Sequence, residues 1–428
     1  MTPRIPFSDA ANRTSPPAIS ELMQVALANP GLISLAAGFV DQGSLPVGPV
    51  AEAIASIAAD PVESRRALQY GTTAGDRGLR SQIVGLLERS EGVKPGTYAS
   101  AHDRILITTG SQQLLYLVAE ALINPGDIVI VEAPTYFVYL GVLETQGARA
   151  VGVPIDDGGM RLDALEQTLV EIEARGELDR VKLIYTISEH SNPSGISLAA
   201  DRRGPLVELA KRWSKRHQIL ILEDVAYRGV CFDGHEAPSV WSHDPEGETV
   251  ILARSFSKTF SPGLKTGFGV LPPALHAVVH RLKGNHDFGS SHLNQQILDH
   301  VLASGTFDRH LAKLVAMYRR KRDVMLGALE TYFGGADSGV SWTHPHGGLF
   351  VWLTAPEGVD TGPHGSFFAR CLERGVLYVP GSYCYAAEGS PAPTNQARLC
   401  FGVPGETELK EGIRRLSAAM SDCLIETV

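Results

Sequence analysis

The sequence predicts an α/β protein built on a mainly parallel sheet covered by helices on both faces, with a smaller α+β domain after it. Three observations carry this. Short apolar runs alternate with helical segments through the middle of the chain. Glycines, hydroxyls and isolated charged residues fall directly after those runs, where an open parallel sheet gathers its ligands. The last third changes to a long basic helix followed by two separate strand patterns.

In chain order, the Pro-rich first 17 residues read as an extended arm that continues through the apolar run Leu32-Ile33-Ser34-Leu35. Pro49 to Ala59 reads as an amphipathic helix. Strands are expected at 105–108, 128–131, 181–185, 219–222 and 249–252, each rich in Ile, Val and Leu, with helices such as 111–123 and 201–217 between them. A helix from about His310 to Thr331, strands at 348–353 and 397–401, and a closing helix from Glu406 to about Cys423 make the second unit. The expected boundaries are 1–48 for the arm, which packs with the small domain, 49–305 for the large domain and 306–428 for the small domain.

A chain of 428 residues exceeds one ordinary core, and 44% hydrophobic with 20% charged residues is the balance of a globular protein. A net charge of -9 gives no basic footprint for nucleic acid or an anionic membrane, so neither is an expected partner. No apolar run approaches the roughly 20 residues that span a bilayer, and the N-terminus lacks a signal-peptide core, so a cytoplasmic location is expected. The five cysteines are odd in number and scattered, which argues against a disulfide framework or a structural zinc site. His344 and His346 have no further ligand at metal spacing beside them, and no metal is expected.

The chemistry-bearing residues follow the strands. Thr109-Gly110-Ser111-Gln112 opens a helix, and its free amides suit a phosphate, although Ser111 also serves as an ordinary helix cap. Tyr136, after the second strand, can stack on a ring or pack against the sheet. Asn192, in Ser191-Asn192-Pro193-Ser194-Gly195, sits on a sharp turn that presents its amide to the crevice. Asp224 ends an apolar strand, where a carboxylate is costly unless paired, and a protonated pyridine nitrogen would pair it. Lys258, in Ser255-Phe256-Ser257-Lys258, stands at the mouth of a buried strand, where desolvation makes an amine a nucleophile for Schiff-base chemistry.

Together these residues resemble the fold-type I, class I/II aminotransferases, most closely the branch of 2-aminoadipate and kynurenine aminotransferases, over about 33–416. The resemblance implies a seven-stranded, mainly parallel sheet in an α/β/α sandwich, and pyridoxal 5′-phosphate as cofactor. It implies that Lys258 forms the Schiff base and then moves the substrate proton, and that Asp224 holds the pyridine nitrogen. Asn192 and Tyr227 would bind the ring's 3-oxygen, Tyr136 would lie by the ring, and Ser111, Gln112, Ser255, Ser257 and Lys265 would surround the phosphate. Arg398 would grip the substrate α-carboxylate, with Asn192 and the Gly38 backbone beside it. Tyr70 matches a tyrosine that reaches the phosphate of a second subunit, which implies a homodimer with shared sites. The implied reaction is a ping-pong transfer of an amino group between an L-amino acid and a 2-oxo acid.

Several positions depart from that pattern. Lys265 replaces an arginine and so loses the planar fork. Ser20 stands where the branch carries a mobile arginine for the distal end of the substrate. Ser188-Glu189-His190-Ser191 and Val225-Ala226-Tyr227-Arg228 are altered segments that could bring Glu189, His190 or Arg228 into the substrate pocket. They leave open a second reading, a lyase, decarboxylase or oxidase on the same fold. A third, the effector-sensing half of a transcription factor, lacks a preceding winged-helix segment.

Overall fold

The computed structural model describes residues 5–29, 31–234, 236–335 and 338–426. Seven strands form the body of the main sheet: β1 Ile105–Thr108, β2 Ile128–Ala133, β3 Arg149–Asp156, β4 Val181–Thr186, β5 Leu220–Asp224, β6 Val250–Ser255 and β7 Gly267–Val270. Their spatial order is β3-β2-β4-β5-β6-β7-β1. All neighbours run parallel except β7, which is antiparallel to both β6 and β1. Two-residue strands at Glu388–Gly389 and Gly159–Met160 both add to β3, so the sheet has nine strands rather than the expected seven.

The strand sequences show why the sheet is covered on both faces. Ile105, Ile107, Ile128, Ile130, Ile184 and Ile221 point into one buried core, while the intervening Leu106, Val129, Val131, Leu183 and Leu222 point into another. Successive side chains on a strand alternate faces, so a continuous apolar run supplies two cores at once. Helices Gly110–Leu122, Phe137–Gln146, Leu162–Ala174 and Ala200–Trp213 make the crossovers from β1 to β5. The last stops four residues short of the expected His217, because the Ser214 hydroxyl turns to accept the Ile219 amide at 2.9 Å.

A third core joins the 28-residue helix Thr306–Phe333, the helix Glu406–Glu426 and a four-stranded sheet. That sheet comprises β8 Ser341–Trp342, β9 Phe350–Thr354, β10 Val379–Pro380 and β11 Gln396–Cys400, in the order β8-β9-β11-β10. Part of the N-terminal arm belongs to this core: Leu22, Leu35 and Ala36 are buried in it, and Ile33–Ser34 pairs in parallel with Val376–Leu377. Leu35 donates its amide to Leu377 at 2.7 Å and accepts that of Cys400 at 2.7 Å. Lys321 of the long helix reaches Asp41 at 2.6 Å and the Gly402 carbonyl at 3.0 Å, fixing the end of the arm. The beginning of the arm goes elsewhere. Arg13 donates to the Thr145 carbonyl at 3.2 Å and Ser15 to Glu144 at 2.6 Å, both on the helix after β2.

Among the described residues no helix is long and apolar enough to cross a membrane. Ile184 is fully buried at the centre of the sheet, so Ile184→Ala should cost roughly 2–5 kcal/mol. A fall in the urea midpoint of the purified protein checks this.

Candidate functional site

Parallel pairing brings the ends of β2, β4, β5 and β6 to one edge. Thr186 is paired with Glu223 and Asp224 with Ala253, so the residues just beyond these strands line a common crevice. The chain order reverses between β2 and β4, where crossovers leave in opposite directions and open a cleft. Tyr136 and Asn192 follow those two strands.

Lys258 lies three residues beyond β6, and its Nζ donates to the Gly38 carbonyl at 2.6 Å. Burial, with a smaller contribution from the Arg398 charge, pushes its amine down to about 8. Gly38 also adjoins Arg398: a Cβ there would lie 3.3 Å from Phe350 Cζ and 3.9 Å from Arg398 Nη2. One bare backbone segment therefore seats both the amine and the guanidinium. Arg398 is 2% exposed, stacks over Phe350 at 4.4 Å and donates to Asn192 Oδ1 at 2.8 Å and the Ala36 carbonyl at 2.6 Å. Asn192 thus presents its oxygen to Arg398, leaving the NH2 as the donor the sequence expects at the crevice.

Asp224 is buried at the end of β5. Its oxygens accept from the Tyr185 hydroxyl at 3.1 Å and the Ala226 amide at 3.1 Å, and desolvation raises its carboxyl to about 6. Tyr136 is pushed up to about 12, mainly by burial and next by the Asp224 charge. Tyr227 is buried edge-on to Phe350, with centroids 5.6 Å apart. Tyr185 is the residue the sequence reading missed. It looks like one more apolar strand position, and only its register opposite Leu222, on the strand that ends in Asp224, reveals its role.

Beside these groups is a cradle of hydroxyls and amides. Ser255 Oγ donates to Ser257 Oγ at 2.9 Å and accepts the Ser257 amide at 3.1 Å. Ser111 and Gln112 are in the first turn of the helix after β1, whose first amides have no partner within the helix. Gly267 joins the two halves, since it pairs with both Thr108 and Ser255. A Cβ on Gly267 would meet Ser111 N at 2.6 Å and the Arg254 carbonyl at 2.8 Å, so only glycine allows this approach. Lys265, exposed and at a φ of 47°, stands two residues before it. Tyr70 lies apart from the crevice, 82% exposed and edge-on to Phe288.

The donor set fits pyridoxal phosphate. It offers an amine of lowered basicity, a dry carboxylate that has no cationic partner among the described residues, and an anion cradle at a helix N-terminus. Glu189 and Arg228 are buried and pair with each other instead of entering the crevice.

Residues 30–416 match the family described as aminotransferase class I and II. The chain is 34% identical to aromatic-amino-acid aminotransferase 1 of Thermococcus litoralis, covering 97% of this chain and 94% of that protein. It is 32% identical to 2-aminoadipate transaminase of Thermus thermophilus, over 98% of this chain and 97% of the relative. The crystal structure of Pyrococcus horikoshii kynurenine aminotransferase, in complex with PMP, superposes with a TM-score of 0.87 at 32% identity, covering 97% of each chain.

The lowered basicity of Lys258 predicts its labelling behaviour. In cofactor-free protein, reaction with an amine reagent should be half-maximal near pH 8, whereas ordinary lysines require a pH of roughly 10.4. Peptide mapping of the labelled protein across pH measures this directly.

Proposed function

The chain belongs to the class I and II aminotransferases and is a pyridoxal-phosphate enzyme, and from that premise we propose how its residues divide the work. The reading rests on one observation above all: Gly38 seats the Lys258 amine and the Arg398 guanidinium side by side. A group that holds a carboxylate next to a group that takes a proton from the neighbouring carbon is what amino-group transfer from an α-amino acid requires.

When bound, the cofactor would supply an electron-accepting ring and an aldehyde carbon able to hold an amino group between an L-amino acid and a 2-oxo acid. Lys258 anchors it and moves the proton at the substrate Cα. Asp224 would hold the ring nitrogen, since its desolvation favours a cationic partner. Asn192 and Tyr227 would hold the ring oxygen, and Tyr136 would flank the ring. Ser111, Gln112, Ser255, Ser257 and Lys265 receive the phosphate, with Lys265 acting as a point charge rather than a fork. Arg398, stacked on Phe350 and turned by Asn192, takes the α-carboxylate.

The donor carries an uncharged, largely apolar side chain. Ser20 gives no cation for a second carboxylate, and the Thermococcus relative is named for aromatic amino acids. The working unit is a homodimer in the cytoplasm. Tyr70 and Leu68, 82% and 78% exposed, belong to an apolar surface that a partner subunit covers, bringing Tyr70 to its phosphate. A large domain of 49–305 and a small domain of 306–428, joined by an arm of 1–48, are supported by the two cores on the faces of the main sheet and a third that the arm shares with the long helices.

Titration of the purified enzyme with single amino acids, followed by absorption, should show loss of the aldehyde-form cofactor band with stoichiometric release of 2-oxo acid. Aromatic donors should outrank glutamate and aspartate. Release of ammonia or consumption of oxygen instead would point to a lyase or oxidase. Lys258→Ala should lower turnover on the order of 10³-fold or more while the circular dichroism spectrum stays native. Light scattering should give twice the chain mass of 45.9 kDa, and a monomer that keeps full activity would remove Tyr70 from the site.

A further inference from the structure

The two altered segments meet under the crevice. Glu189 Oε1 accepts from Arg203 Nη1 at 2.7 Å and from Arg228 Nη1 at 2.8 Å, and Arg228 Nη2 lies 3.0 Å from Glu91 Oε1. All four side chains are almost fully buried. Two arginines and two glutamates leave the network neutral. The guanidiniums also take main-chain carbonyls: Arg203 those of Ser188 and Leu198, Arg228 those of Ser90 and Ala237. A second tie runs parallel to the first, from the Ser188 hydroxyl to Glu223 at 2.5 Å. Glu189, His190 and Glu236 also bring three potential metal ligands together. Two guanidiniums already occupy the Glu189 oxygen, however, and their charge opposes a cation there.

A buried ion-pair network is a poor device for stability, because desolvation offsets most of the attraction. Its location suggests another use. Glu189 precedes Asn192 by three residues in the loop after β4, and Asn192 holds Arg398 at 2.8 Å. Arg228 directly follows Tyr227 in the loop after β5, and Tyr227 packs edge-on against Phe350, over which Arg398 stacks at 4.4 Å. Both routes from the ion pair end on the same guanidinium.

We propose that Glu189 and Arg228 are a positioning pair for the carboxylate clamp, locking the loop that carries Asn192 to the loop that carries Tyr227 and so fixing the aim of Arg398. This rests on the reading of Arg398 as the α-carboxylate site. Neither residue touches the substrate. Their effect is on how well a carboxylate is received and not on the proton step at Lys258.

The test uses cofactor-loaded Glu189→Gln, Arg228→Lys and the double variant, with 3-phenylpropanoate, a carboxylate with no amine, as the probe. Thermal unfolding and the visible cofactor band report folding and loading. Each single variant should raise the Kd of 3-phenylpropanoate and the KM of an aromatic donor on the order of tenfold, with kcat changed much less. The double variant should be no worse than the worse single, because both changes break one link. Arg228→Lys keeps the buried charge and serves if Glu189→Gln does not fold. Loaded, folded variants with wild-type Kd and KM would overturn the proposal. So would losses of kcat that track a lowered melting temperature while KM stays put. If the wild type shows its cofactor band but does not bind 3-phenylpropanoate, the assignment of Arg398 falls, and this pair's role falls with it.

Discussion

Parallel pairing of β2, β4, β5 and β6 is the constraint on which the other features depend. A parallel ladder requires a crossover after every strand, so each strand must end at the same edge and the chain must turn there. The residues at those turns cannot be apolar throughout, since the turning backbone needs partners. They are nonetheless backed by strands with every residue buried, as β2, β5 and β6 are. Polar groups held against so much apolar surface lose water without losing one another. The result is a lysine less basic, and a carboxyl and a phenol less acidic, than in water. β7, the reversed strand within the seven-stranded body, completes the arrangement by placing Gly267 between β1 and β6.

Asp224 shows how the site is left ready for a cation from outside the protein. Its partners are a hydroxyl and an amide, which favour the carboxylate, yet burial outweighs them and raises its carboxyl. Arg398 has the opposite arrangement. Among the described residues it is held by carbonyl oxygens and aromatic faces, with no carboxylate salt-bridged to it, so a ligand carboxylate would be its first counter-charge. Leaving both groups without an opposite charge of their own favours ligands that bring one, which is preorganisation in electrostatic form.

Much of this is legible in the chain. Five strands with β-branched or leucine runs were readable because burial on both faces demands continuous apolar sequence. β3 and β7 were not. Pro154 and Gly152 interrupt the first pattern, and Gly267-Phe268-Gly269-Val270 trades side chains for close approach, as Gly269 shows with a would-be Cβ 2.5 Å from Leu114. Lys258, Asp224 and Asn192 stand out because charge or amide follows an apolar run, whereas Arg398, inside a strand pattern, stands out only through the family resemblance. Tyr185 and the Glu189–Arg228 link do not, since only strand register and loop packing bring them to their partners. The same limit explains why Arg228 could be read as a pocket residue: composition shows that a charge is present, not which way it turns.

The strand pair between Ile33–Ser34 and Val376–Leu377 has a consequence for biosynthesis. Leu35 bonds to both Leu377 and Cys400, so this segment has to wait for residues translated long after it. The sheet of β1 to β7 ends at Val270 and has all its strands well before then. A nascent chain can therefore hold a formed central sheet while Leu22, Leu35 and Ala36 remain unsheltered. Until residues such as Leu377 and Cys400 have been made, this apolar segment lacks its native shelter and needs a chaperone in their place.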